Sequence, residues 1–219
     1  MLKIIAECGC NFKNLKEAKE MIKRSKEIGC WASKFQLFSE NEIQGNPYHD
    51  FLKTIIFDYE KANELFQYGK SIEQEVFFTP MYYPEAIEIC EKIGVNYYKI
   101  RCKDSNNEEL IDLVDLTDKP FFISYDHEPE KVYLNGIDLL CVPKYPAKFI
   151  DYPSNLFRIF NGISDHTSCS CLLEYVLNYK HFTPFWQGYF EKHVKLNNDC
   201  LENKWSISFD DLEKVIKNA

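Results

Sequence analysis

Two lysines interrupt otherwise apolar runs, Lys34 in Ser33-Lys34-Phe35-Gln36 and Lys99 in Tyr97-Tyr98-Lys99-Ile100. They do so in a chain with 34 acidic against 26 basic side chains. A lysine buried in such surroundings needs an anion beside it. One such lysine reads equally well as half of a structural salt bridge, with Glu7 as partner. Two, accompanied by the hydroxyls of Thr79, Ser124 and Ser164, read as a cradle for a small phosphorylated or carboxylated ligand. His166 and His193 end two successive apolar runs, in Ser164-Asp165-His166 and Glu191-Lys192-His193. Two imidazoles with Glu7 and Glu191 at the same rim could share one divalent ion, and satisfied core histidines are the competing reading. Tyr145 follows another strand-like run, while His49, His127 and His181 fall in loop-like contexts and are given no role.

Elements of a particular kind must bring these residues together. Runs rich in Ile, Val, Phe and Tyr recur at Ile4–Cys8, Ala32–Phe38, Val76–Thr79, Tyr97–Ile100, Phe121–Ser124, Leu139–Val142, Arg158–Phe160 and Gly188–Val194. Helical spacing separates them. Leu15, Ala18, Met21, Ile22 and Ile28 share a face that ends at Gly29, and Pro84–Ile93 repeats the pattern before Gly94. Asn107–Leu116, Leu172–Tyr179 and Phe209–Lys217 are further helices; Glu128–Leu134 is a possible short one, and Ala147–Asn155 reads as loop. Eight strands alternating with helices, at about 27 residues per unit, imply an α/β fold with a parallel sheet. The count favours a single near-minimal (β/α)8 TIM barrel over residues 1–219, with an open doubly wound sheet as the alternative. In a barrel the C-terminal strand ends carry the chemistry, and those are where Glu7, Lys34, Gln36, Thr79, Lys99, Ser124, Tyr145, Ser164, His166, Glu191 and His193 fall.

Composition narrows the function classes. At 219 residues, 45% hydrophobic and 16% aromatic, the chain has material for a sizeable core. A net charge of -8 disfavours a nucleic-acid partner, which needs a basic stripe. There is no apolar run of spanning length and no signal-peptide pattern in MLKIIAECGC, so no membrane association and a cytoplasmic location are expected. The nine cysteines lack zinc-ribbon spacing and are expected to be reduced, mostly buried thiols. Tyr48, Phe51, Phe57, Tyr59, Phe66 and Tyr68 form an aromatic group read as outer-ring packing in preference to an interface.

The motifs also follow a known order. IAECGCN before a helix, then SKFQLF, FFTP, GVNYYKI, KPFFIS, YP, GISDHT and FEKHV resemble the sialic acid (N-acetylneuraminate) synthase family from Ile4 to about Leu212. GISDHT and FEKHV are the most specific of these. The resemblance implies a (β/α)8 barrel that condenses phosphoenolpyruvate with an aldose such as N-acetylmannosamine. It implies that Lys34, Thr79, Lys99, Ser124 and Ser164 hold phosphoenolpyruvate. His166 and His193 would hold Mn2+ or Mg2+, Glu191 sugar hydroxyls, Glu7 the sugar or a proton-transferring water, and Tyr145 the sugar side.

Departures from the family pattern fall mainly on the acceptor half. Asn11-Phe12-Lys13-Asn14 replaces NHNG, Cys102 stands at a serine position with Arg101 before it, and Pro143 at an asparagine position. Ser39–His49 is short, and the aspartate after the EKH motif is replaced around Glu202. The family's antifreeze-like C-terminal domain is not contained in the sequence. These departures imply an altered acceptor, a cap supplied by a separate protein or a homodimer partner, or a barrel that binds without catalysis. A Schiff-base lyase using Lys34 or Lys99 is a further enzymatic reading.

Overall fold

The computed structural model describes residues 2–153, 156–178 and 186–218. Eight parallel strands pair in chain order: β1 (Lys3–Gly9), β2 (Ala32–Leu37), β3 (Glu75–Pro80), β4 (Tyr98–Ile100), β5 (Phe121–Tyr125), β6 (Gly136–Cys141), β7 (Gly162–Asp165) and β8 (Tyr189–Lys195). Pairing of β1 with β8 closes the sheet, so the expected barrel is present and the open sheet is not. A two-residue β9 (Ile207–Ser208), absent from the expectation, extends β8 outside the ring.

The outer helices are α1 (Leu15–Glu27), α2 (His49–Thr54), α3 (Tyr59–Ser71), α4 (Glu85–Ile93), α5 (Glu108–Asp115), α6 (Cys171–Asn178) and α7 (Phe209–Lys217). Asn14, Asp58, Asn107 and Ser208 cap the starts of α1, α3, α5 and α7 through side-chain oxygens. Of the aromatic group, Phe57 and Phe66 are buried among these helices, Phe51 and Tyr68 pack partly against the core, and Tyr48 and Tyr59 stay exposed.

Three expectations are corrected. Arg158–Phe160 is not a strand: a short 3-10 turn spans Leu156–Arg158, and β7 begins at Gly162. Phe160 is apolar because it enters the outer core, and Gly162 starts the strand because a Cβ there would lie 2.3 Å from the Tyr189 carbonyl. Glu128–Leu134 forms no helix; only Tyr133 docks, edge-on against Phe121, while Val132 and Leu134 point to solvent. Cys169 and Cys171 are joined as a disulfide, the turn before α6 bringing their Cα atoms to 5.5 Å, whereas Cys8, Cys10, Cys30, Cys90, Cys102, Cys141 and Cys200 are free thiols. Leu172–Tyr179 was close in extent, but Tyr179 and His181 lie outside the described residues. The loop expected over 147–155 contains a 3-10 turn, Phe149–Asp151, in its described part.

Strand alternation sorts the interior into levels. At the N-terminal end of the barrel Ile5, Ala32, Phe77, Phe122, Leu139 and Tyr189 form an apolar floor, roofed from below by Trp31 and Tyr97. Trp31 makes edge contacts with Tyr97, Phe122 and Tyr189 at 5.0–6.0 Å between ring centres. The intervening residues, such as Ala6, Phe35, Phe78, Ile100, Ile123, Leu140, Ile163 and Phe190, face outward into the core beneath the helices. No described helix is long and apolar enough to cross a membrane.

Candidate active site

Two residues beyond the floor along each strand, every strand contributes one buried side chain to a belt: Glu7, Lys34, Thr79, Lys99, Ser124, Cys141, Ser164 and Glu191. All but Thr79 line a cavity of about 560 Å³ at the C-terminal mouth, and Thr79 accepts a 3.1 Å hydrogen bond from Lys34 Nζ. The next level up brings in Gln36, Arg101, Pro143, His166 and His193, with Tyr145, Glu202 and Trp205 at the rim. All ten site residues named from sequence therefore gather around one cavity.

The belt is an ion network. Lys34 Nζ is 2.9 Å from Glu7 Oε2 and 3.5 Å from Glu191 Oε2, and Lys99 Nζ is 3.8 Å from Glu191 Oε1. Ser164 Oγ donates to Glu191 Oε1 at 2.7 Å, Gln36 Nε2 to Glu7 Oε1 at 2.9 Å, and Lys99 also donates to Ser124 Oγ. The carboxylate oxygens facing Lys34 touch its ammonium without accepting a well-angled hydrogen bond. The two acids are driven apart. Burial pushes Glu7 up, against the opposing pull of Lys34. For Glu191, burial is outweighed by Lys34 and Lys99, helped by Ser164, and its carboxyl is held down to about 2. Burial also opposes the charge on Lys34, but Glu191 and Glu7 outweigh it and raise its ammonium. Lys99 is lowered by burial, with Glu191 only partly compensating. Burial and charge thus shift the two neighbouring acids in opposite directions, Glu7 up and Glu191 down.

The histidines have defined orientations. His166 Nδ1 lies 2.8 Å from the Val142 carbonyl, which fixes the proton on Nδ1, and burial lowers its pKa to about 3, so the ring is neutral. His193 Nδ1 lies 2.9 Å from Glu202 Oε2; burial works against a charge on this ring, but Glu202 outweighs it and raises the pKa. In both rings Nδ1 is committed to a protein acceptor, the arrangement that leaves Nε2 for a metal. The ring centres are 5.2 Å apart. Among the described residues no group of three His, Cys, Asp or Glu forms a ready-made cage, so the fit is to an ion held by two imidazoles and completed by oxygen ligands. That donor set suits Mn2+ better than Mg2+, which favours shells made of oxygen. Tyr145 stacks at 4.2 Å on His166 and meets Trp205 edge-on at 5.4 Å; it is 53% exposed, a side wall and not a buried phenol.

Among the cavity residues that sequence reasoning did not name as site members are Cys141, Arg101, Glu202 and Trp205. Cys141 takes the β6 position in the belt, 3.8 Å from His166 Nδ1, and a thiol–thiol hydrogen bond with Cys102 raises Cys141 and lowers Cys102. Alternation from Leu139 marks Cys141 as inward-facing. Arg101 is found the same way, two residues beyond Lys99. Glu202 and Trp205 arrive from the β8–β9 connection; the resemblance pointed at Glu202 only as a replaced acidic position, and Trp205 has no local sequence signal. Gly9, at φ +49°, makes room for Glu202: a Cβ there would stand 2.4 Å from Glu202 Oε2. The strand-end pair Asp165 and Lys192 faces away from the cavity and is buried as its own ion pair, 2.8 Å apart, with Thr167 completing it.

A closed parallel barrel with a buried lysine–carboxylate belt beneath two histidines defines an anion-handling α/β-barrel site. The NeuB family model matches residues 1–219, and the chain belongs to the NeuB family. It is 30% identical over 186 residues to an uncharacterized protein of Methanocaldococcus jannaschii, which covers 75% of this chain and 55% of that one. It is 25% identical to the pseudaminic acid synthase of Helicobacter pylori, over 98% of this chain and 72% of the enzyme. The chain thus spans about half the length of the archaeal relative. The crystal structure of an N-acetylneuraminic acid (sialic acid) synthetase from Leptospira borgpetersenii superposes with a TM-score of 0.84 at 20% identity, covering 99% of this chain and 81% of that one, a likeness of fold.

Proposed function

We propose that the protein condenses phosphoenolpyruvate with an aldose, N-acetylmannosamine or a relative, to a nonulosonic acid with release of phosphate. The observation that carries this reading is the belt: two buried lysines sharing Glu191, ringed by Ser124, Ser164 and Thr79, directly below two histidines with Nε2 available. Lys34 and Lys99 bind the phosphate and carboxylate of the donor, and the serine and threonine hydroxyls complete its shell. Carbon 3 of the enol attacks the aldehyde carbon, water adds at carbon 2, and the tetrahedral species expels phosphate by C–O cleavage. Glu7, raised by burial, is suited to hold and pass the proton of that water, and Gln36 orients it. Glu191, held ionised, keeps the lysines charged and offers an acceptor to sugar hydroxyls. Tyr145 and Trp205 flank the acceptor. A divalent ion, Mn2+ in preference to Mg2+, held by His166 and His193, would polarise the aldehyde oxygen.

The test is calorimetric titration of phosphoenolpyruvate into metal-free and Mn2+-loaded protein, followed by phosphate release with N-acetylated aldoses. Binding lost in Lys99→Ala, with release lost in His166→Ala and His193→Ala, supports the reading; full release from both histidine variants removes the metal from it. A second reading is favoured by one observation, the lowered ammonium of Lys99. A Schiff-base lyase would give a pyruvyl adduct trapped by borohydride, and the condensing reading expects none.

A further inference from the structure

Arg101 is a cavity cation to which neither the proposed chemistry nor the family pattern gives work. Its backbone continues the extended course of β4, at φ -72° and ψ 158°, so its side chain falls on the same face as Lys99, one repeat nearer the mouth. Its Nε donates to the Asp104 carboxylate, three residues on, and the two side chains are only 21% and 16% exposed. That contact fixes the plane of the guanidinium. Its two terminal amino groups have no hydrogen bond or ion pair among the described residues. Of the other charges on the cavity wall, Lys34 is matched by Glu7 and Glu191, Lys99 by Glu191, and Glu202 by His193. Exposed Lys103 adds positive charge on the same side.

We propose that Arg101 is a phosphate-binding residue of this cavity, its terminal amino groups forming a fork, held by Asp104, for a phosphate monoester above Lys99. Glu191 already draws on both belt lysines, so a multiply charged phosphoryl group held by them gains from a further cation at the same place. The inference rests on the proposed function for the setting of the ligand but not for its chemistry. The phosphate monoester has two possible sources, the phosphoenolpyruvate itself or a phosphorylated aldose acceptor.

The test is titration of inorganic phosphate, phosphoenolpyruvate, and an N-acetylhexosamine with and without a 6-phosphate into wild-type protein, Arg101→Ala and Arg101→Lys. Thermal melts check that each variant is folded. Arg101→Ala should weaken the phosphate-bearing ligand roughly 10- to 100-fold. Arg101→Lys should recover part of this, because a point charge replaces a two-pronged donor. A loss on phosphoenolpyruvate assigns the fork to the donor. A loss confined to the phosphorylated hexosamine, with the unphosphorylated sugar unaffected, assigns it to the acceptor. Phosphoenolpyruvate and phosphorylated hexosamine binding that are both unchanged in Arg101→Ala overturn the proposal and leave the condensing function standing. Arg101-dependent binding of inorganic phosphate without binding of phosphoenolpyruvate overturns the function and leaves Arg101 standing. A wild-type protein that binds none of the phosphates overturns both.

Discussion

Glu191 Oε2 stands 3.5 Å from Lys34 Nζ, and the other oxygen of the same carboxylate reaches Lys99. One side chain on β8 therefore supplies counter-charge to lysines on both β2 and β4. It holds them in the cavity before any ligand arrives, at the expense of competing with that ligand.

Replacing Glu191 by Gln should destabilise the fold by about 3–5 kcal/mol, since two buried ammonium groups lose their shared counter-charge. Inorganic phosphate should restore more stability to the variant than to the parent, because it takes the vacated role. Denaturant titration with and without phosphate measures both; equal phosphate stabilisation of the two proteins contradicts the shared-carboxylate picture.

Lys192→Met should cost a similar amount, about 3–5 kcal/mol, by stranding Asp165 in the outer core. Phosphoenolpyruvate affinity should not change, because the pair points away from the cavity. The double variant Asp165→Asn/Lys192→Met should regain part of the loss, and a double-mutant cycle reads the coupling.

Gly9→Ala should lower stability by about 2 kcal/mol from the left-handed backbone conformation and push Glu202 off His193. Weaker Mn2+ binding, read by paramagnetic resonance of the free ion, accompanies this if the Glu202–His193 pair orients a metal ligand. Unchanged Mn2+ affinity in a destabilised variant limits Gly9 to a folding role.

Asp138, on the outer side of β6, supplies a pH dependence remote from the site. Burial raises its carboxyl from the ordinary 3.8 to about 6. Between those values the folded protein holds a proton that the unfolded chain has lost, so this residue's contribution is fully present below 3.8 and disappears as pH rises through about 6. Asp138→Asn should thus stabilise the protein near pH 7 by up to about 2 kcal/mol and have little effect near pH 4. Melts at the two pH values decide it, and an equal gain at both rules out the titration.

The barrel was legible because eight apolar runs recur with helical spacing between them, and the belt because alternation carries Lys34, Lys99 and Glu191 inward with their neighbours outward. β7 was misplaced because Phe160 is as apolar as a strand residue, while the position that fixes the strand is a glycine whose reason is a carbonyl on β8. The places of Glu202 and Trp205 at the rim were not legible for a similar cause: they reach it through a connection whose course depends on Asn11, which donates to the Val194 carbonyl and Ser206 and accepts from Glu202 N–H. Such contacts join positions about 190 residues apart and leave no local pattern. The disulfide between Cys169 and Cys171 was missed because spacing alone does not give the turn that brings the two together.

The floor of Trp31, Phe77, Tyr97, Phe122 and Tyr189 makes the barrel a dead-end well. Whatever reaches the lysine belt must descend past the histidines and leave by the same route. Of two ligands occupying the shaft together, the lower one cannot depart until the upper one has gone. Order of loading and unloading is thereby built into the packing of five aromatic rings at the opposite end of the molecule from the chemistry.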